Sequence, residues 1–269
     1  TKGLVGDTSD LADELRQMNG SGSRQNYYSA TVSPDLNTYS RLKNAVAKDI
    51  QVLKTKLVRQ WQNESRTRNI INEHDGRLSV NEAIRCRISG EDNYLVKKTK
   101  RINHKPAVCV LADLSGSMSD NGAITDQAKA LIALTEACDL AGIPLNIMGF
   151  SDYAVTVKKW NDPMPKARAL LGGMNKTISG TELPIAMFEG VRTLQSRKEQ
   201  KKILITLTDG DIGMDGIMCR NIMQYAEKSI PGIEFYGLGI GVNLNSLFKK
   251  GGRVNPAQLS QSLLEILSK

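Results

Sequence analysis

Apolar positions along this chain repeat with two different periods, and the place where the period changes marks its architecture. Behind Ser33-Pro34, residues Leu36, Tyr39, Leu42, Val46, Ile50, Leu53, Leu57 and Trp61 recur at three- and four-residue spacing. This predicts one long amphipathic helix ending near Asn63, with Ser33 as its cap and Pro34 in its first turn. Its apolar stripe has to be covered by a sheet, a second helix or a partner. Asp75 to Ser79 then leads into a short helix in which Ser79 and Glu82 are spaced as a capping box. Tyr94 to Lys100 reads as a strand or extended arm, basic through Lys97, Lys98, Lys100 and the following Arg101.

From Pro106 onward, short apolar runs alternate with helical periodicity. A strand over Ala107 to Ala112 precedes a helix from Ile124 to Leu140, and a strand over Pro144 to Phe150 pairs with Tyr153 to Trp160 across the Ser151-Asp152 turn. Further helices are expected near Glu182 to Ser196, Ile217 to Lys228 and Pro256 to Leu267, with strands over Lys202 to Thr208 and Ile233 to Ile240. Such alternation predicts an α/β fold: a Rossmann-like, doubly wound, mainly parallel sheet with helices on both faces, preceded by a helical N-terminal extension. The expected organisation is a flexible segment over 1–33, containing a short helix at Thr8 to Met18 and a linker at Asn19 to Ser23, a basic helical extension with an extended arm over 34–105, and the sheet domain over 106–269.

Charge changes this picture in one respect. The 269 residues carry a formal net charge of +8. Before Pro106 there are 19 Lys and Arg against 12 Asp and Glu, and after it 17 against 16, so the excess lies in the first part. That asymmetry suits either a polyanion such as nucleic acid or a plain solvated helix face, and both readings stay open. No apolar run reaches the 18 or so residues of a membrane span, and residues 1–27 lack the apolar centre of a signal peptide. The four cysteines, Cys86, Cys109, Cys138 and Cys219, show no CxxC pairing, and three of them lie in apolar-patterned segments. The expectation is a cytoplasmic protein with reduced, buried thiols and no disulfide framework. Gly237, Gly239 and Gly241 close the last apolar strand without the framing of a nucleotide loop, so close backbone packing explains them.

The candidate chemistry sits at the end of the first strand of the sheet. Asp113, Ser115 and Ser117 alternate in the loop that follows it, so their side chains converge on one point, and Gly116 lets the backbone turn closely there. All three offer oxygen, at the carboxyl end of a strand, where open α/β sheets keep their ligands. Taken singly, the two serines could equally cap the following helix.

Asp-x-Ser-x-Ser at 113–117 closely resembles the metal-ion-dependent adhesion site of von Willebrand factor type A domains. The resemblance implies a Thr on a later loop and an Asp after a later strand. Ser179-Gly180-Thr181 before a helix and Thr208-Asp209-Gly210 at the end of Ile203 to Asp209 match in order. Capping by Thr181, or an ordinary Asp-Gly turn at Asp209, are the plainer alternatives, and Asp211 is expected to be exposed or outside the ligand set. The implied metal ligands are Asp113, Ser115, Ser117, Thr181 and Asp209. Two carboxylates nearly neutralise a divalent ion, and hydroxyls and water complete an octahedral shell at about 2.1 Å, which favours Mg2+ over Mn2+ or Ca2+. With no thiol or imidazole offered, zinc and copper are not expected.

Residues 34–267 as a whole look like the C-terminal part of cobaltochelatase CobT-type subunits. What this resemblance implies is a non-catalytic, metal-dependent protein-binding subunit that couples a hexameric AAA+ ATPase of the CobS or MoxR kind to a client, with an acidic residue of the ATPase or client completing the metal shell. Catalysis by this chain alone is not expected, because His74 and His104 belong to no recognisable constellation and Ser115 and Ser117 lack a nearby base. The alternative is a nucleic-acid-associated protein of the same fold that binds through its basic N-terminal region; aromatic residues for base stacking are few and scattered. Extracellular adhesion fits poorly with the unpaired cysteines.

Overall fold

A computed structural model describes residues 32–64, 68–72, 77–90, 95–99, 105–178, 180–210, 215–255 and 258–267. Packing divides the chain at Leu57/Val58 and at His104/Lys105 into two compact units. The described chain begins with α1 (Leu36–Ala45) and α2 (Ala47–Glu64). The single helix expected from periodicity is interrupted at Val46, where φ −108° and ψ 18° leave the helical range. Its cap also differs from expectation: Asp35, not Ser33, accepts a hydrogen bond from the Thr38 amide at 2.8 Å, since a carboxylate at this position satisfies an orphan amide donor of the first turn.

The smaller unit holds β1 (Arg68–Asn72), β2 (Arg77–Leu78), α3 (Val80–Ser89) and β3 (Leu95–Thr99). Its sheet runs β1-β3-β2, antiparallel throughout. Ser79 caps α3 by accepting from the Glu82 amide at 3.4 Å, and Gly90 at φ 75° closes it in the left-handed region. The β3 strand lies within the stretch expected to be extended; β1 was not expected, because its five residues show no strict alternation.

The larger unit continues with β4 (Ala107–Asp113), a 3-10 turn over Gly116–Gly122, α4 (Ala123–Ala141), β5 (Leu145–Phe150), β6 (Ala154–Lys158), α5 (Met164–Gly173), α6 (Leu183–Gln195), β7 (Lys202–Thr208), α7 (Asp215–Ser229), β8 (Ile233–Ile240), β9 (Lys250–Val254) and α8 (Leu259–Leu267). The six strands run in the order β6-β5-β4-β7-β8-β9. All neighbours are parallel except β5 and β6, which form the expected hairpin with Phe150 opposite Ala154. This is a doubly wound α/β fold. Edge strand β9 and helix α5 were not anticipated; β9, Lys-Gly-Gly-Arg-Val, has no apolar pattern of its own and is a strand because β8 supplies hydrogen-bonding partners along its length.

Strand β4 is wholly buried, as a central parallel strand covered on both faces should be. Ala107, Cys109 and Leu111 join Leu183, Met187, Leu194, Cys219 and Ile222 in the core beneath α6 and α7. By alternation Val108, Val110 and Ala112 face the other way, toward the layer of α4, α5 and α8. Helix α4 is buried nearly all round, and it packs against α1, α5 and α8.

The first helix therefore belongs to the sheet unit, and a buried acid holds it there. Glu136 of α4 accepts hydrogen bonds from the Tyr39 hydroxyl, from Lys43 Nζ at 2.9 Å, and from Arg168 Nε and Nη2 at 2.8 and 3.1 Å. Burial by itself would raise its pKa, but the donors from Arg168, Tyr39 and Lys43 outweigh that and bring it from 4.5 down to about 2. Close backbone approach completes the seam: a Cβ on Gly172 would lie 1.9 Å from the Asp35 carbonyl oxygen, so α5 can meet the start of α1 only with glycine there. All four cysteines are free and buried. Among the described residues no helix is long and apolar enough to cross a membrane.

Candidate metal centre

The chain steps to one side of β4 through α4 and β5, then returns to its other side at β7. The crevice between the carboxyl ends of β4 and β7 is thus the topological switch point of the sheet. Asp113 is the last residue of β4, and Asp209 immediately follows β7.

Asp113 is fully buried and Ser115 nearly so, whereas Ser117 is exposed and Asp209 half-buried. The Ser115 amide donates to Asp113 Oδ1 at 2.8 Å, and the Thr208 hydroxyl donates to Asp113 Oδ2. Ser115 Oγ and Ser117 Oγ lie 3.0 Å apart, and Ser117 Oγ donates to Asp209 Oδ1 at 2.8 Å. The two carboxylates are therefore connected through Ser115, by its amide on the Asp113 side and its hydroxyl on the other, and through the Ser117 hydroxyl. Burial pushes the Asp113 carboxyl above its ordinary range; hydrogen bonds from Ser115 and Thr208 oppose the rise, and the Asp209 charge adds to it. Among the described residues no Lys, Arg or His forms an ion pair with either acid.

The serines do not act as helix caps. Helix α4 begins after Gly122, with no side-chain cap bond. Ser115 instead opens the 3-10 turn, its carbonyl accepting from the Met118 amide at 3.2 Å. Helix α6 is likewise preceded by Glu182 without a side-chain cap bond, so Thr181 is not a cap either.

Thr181 is exposed on a loop that is tied to the site by its backbone. The Ile178 amide donates to the Leu114 carbonyl at 2.5 Å, and the Glu182 amide to the Ser151 carbonyl at 2.6 Å. Between them, Gly180 at φ 87° leaves space filled by the Asp152 carboxylate, 1.5 Å from where a Cβ would sit. No hydrogen bond joins the Thr181 side chain to the other four residues. Ser179 and Asp211, and also His74 and His104, lie outside the described residues.

Two residues in the surroundings carried no clear sequence signal. Gln127 lies within the apolar run of α4 and donates from Nε2 to the Asp113 carbonyl at 2.7 Å, fixing the end of β4, while its Oε1 is buried without a partner. Ser151, at the end of β5, also buries an unpartnered hydroxyl. Thr208 was legible only as the neighbour of Asp209; its Oγ1 both donates to Asp113 and accepts from the Gly210 amide at 3.0 Å.

The donor set suits a hard cation and little else. No group of three His, Cys, Asp or Glu side chains among the described residues is placed to hold a metal ion. A site here would rely on two carboxylates and neutral hydroxyls. Two ligands of an octahedral Mg2+ lie about 3 Å apart when each bond is about 2.1 Å, close to the 3.0 and 2.8 Å separations of the hydroxyl chain. Those are also hydrogen-bond distances, so the same oxygens can be held by each other or by a cation without large movement.

No protein-family model matches this chain, and no curated protein matches it. Among solved structures it is similar to a von Willebrand factor type A protein from Catenulispora acidiphila (20% identity, TM-score 0.47, covering 65% of this chain and 44% of that one). It is also similar to the PilB minor pilin of Streptococcus sanguinis (17%, TM-score 0.46, 64% and 63%) and to BatB of Bacteroides thetaiotaomicron (15%, TM-score 0.45, 61% and 95%). The chain thus spans less than half the length of the first of these. These likenesses are distant, and the doubly wound α/β fold rests on the strand order of the chain itself.

Proposed function

We propose that this chain is a non-catalytic protein-binding subunit whose contact with a partner depends on a divalent cation, Mg2+ in the first instance, held at the switch point of the sheet. One observation carries the reading: two neighbouring acids without a cationic partner among the described residues, one fully buried, linked through Ser115 and Ser117. A buried carboxylate is costly unless opposite charge reaches it. Asp113 and Asp209 would supply the charge and Ser115 and Ser117 the neutral oxygens. Thr181 would join from the loop anchored at Leu114 and Ser151. When bound, the cation supplies a positive centre open to an acidic side chain of another protein.

The finer proposal rests on the likeness of residues 34–267 to CobT-type subunits. The partner is then a hexameric AAA+ ATPase of the CobS or MoxR kind, and movement of the ring passes through the acidic contact to a client. Size-exclusion chromatography of the chain with such an ATPase and an ATP analogue tests both levels. The expected result is co-elution in Mg2+, lost in EDTA and lost with Asp113→Ala at unchanged circular dichroism. Co-elution unaffected by EDTA and by Asp113→Ala would overturn the metal-mediated contact. Absence of co-elution in every condition would overturn the ATPase assignment.

A further inference from the structure

Helix α3 of the smaller unit turns its apolar face toward water. Val80, Ile84 and Ile88 are 67, 56 and 83% exposed, and Leu78, just before the helix, is 65% exposed. These are half of the large hydrophobic residues exposed among the described residues, gathered within eleven positions. Single exposed aliphatic residues are ordinary, but a contiguous row is not.

At about 100° per residue, Val80, Ile84 and Ile88 fall within one arc of the helix about 80° wide and about 12 Å long. The opposite side carries the buried Cys86 and the half-buried Glu82. Arg87 lies about 60° to one side of the row and Arg85 about 100° to the other, and both are exposed, as is Arg77 beside Leu78. The result is an aliphatic ridge bordered by guanidinium groups on a well-capped, fully formed helix.

We infer that α3 is a docking ridge for an acidic amphipathic helix of a partner protein. Its aliphatic residues would pack along Val80, Ile84 and Ile88, and its Asp and Glu side chains would meet Arg85 and Arg87. Spacing of i, i+4 and i+8 is the anchor pattern by which helices pack side by side. The charge around the ridge selects an acidic occupant and repels a second copy of the same basic ridge. A lipid surface is the poorer match: the row lacks aromatic residues, and a ten-residue helix buries little area in a bilayer interface. The ridge uses none of the residues proposed to hold the cation, so this contact needs no divalent ion.

The test uses the full chain and a fluorescein-labelled helical peptide of Leu, Ala and Glu with leucines at i, i+4 and i+8, followed by anisotropy in EDTA. Saturable binding is expected, weakening as salt rises. The double variant Ile84→Asp/Ile88→Asp alters only exposed positions, and it should weaken binding by roughly tenfold or more. Arg85→Glu/Arg87→Glu should weaken the acidic peptide and strengthen one in which Lys replaces Glu. Equal binding by all variants would overturn the proposal. So would binding only to anionic phosphatidylserine vesicles, or self-association of the chain that Ile84→Asp/Ile88→Asp abolishes.

Discussion

Replacing Glu136 by Gln keeps the shape of the side chain and removes its charge, which isolates what that charge does for α1. A carboxylate held at about 2 in the folded chain, against an ordinary 4.5, corresponds to about 3 kcal/mol of stability at neutral pH. Lys43 and Arg168 keep 35% and 34% of their side chains exposed to water, so screening brings the expected loss nearer to about 2 kcal/mol. Because the folded pKa is depressed, this stability is fully present above about pH 5.5 and fades as pH falls from there toward 2. Urea unfolding of both proteins should therefore show a gap of about 2 kcal/mol at pH 7, shrinking to less than half of that at pH 3. At pH 3 the acid stays mostly ionised in the folded chain but is mostly protonated in the unfolded one, so folding must release a proton and the charge contributes less. Absence of the gap at pH 7, or a gap as large at pH 3 as at pH 7, would refute this role of the Glu136 charge.

Two further outcomes follow from the geometry. Mg2+ at a hundredfold its dissociation constant should stabilise the native chain by about 2.7 kcal/mol in thermal unfolding; Asp113→Asn, which removes the buried charge, should abolish that response, and a response of equal size in the variant would place the cation elsewhere. Gly172→Ala drives a Cβ to 1.9 Å from the Asp35 carbonyl, and should cost about 1–3 kcal/mol, with faster amide exchange concentrated in residues 36–45; uniform exchange along the chain would show that the seam with α5 does not hold α1.

The likeness between expectation and structure is greatest where neighbours in sequence are also neighbours in space. The run from Ala107 to Ala112 reads as a buried strand and is one, and a strand that ends in Asp-Leu-Ser-Gly-Ser places an acid and two hydroxyls at its carboxyl end. The hairpin of β5 and β6 and the capping of α3 by Ser79 are equally local. Periodicity over a few residues encodes all of these, because side-chain direction repeats with the backbone. Asp209 and Thr181 entered the candidate set through family resemblance. The structure links Asp209 to Ser117 across 92 positions, while it ties Thr181 to the site by its loop's backbone alone.

What the tertiary structure alone decided are relations between distant residues. Lys-Gly-Gly-Arg-Val carries no strand period, and it becomes β9 only because the edge of β8 is open to it. Val46 ends α1 within an apolar pattern that continues unbroken, so the stripe gave no sign of the interruption. Nothing in the pattern marks Gln127 as the residue that holds the Asp113 carbonyl, or Glu136 as the acid that gathers Tyr39, Lys43 and Arg168. A hydrophobic period states which face of an element is buried. Which element covers it, and which polar group then needs a partner there, depends on chain segments brought together only by folding.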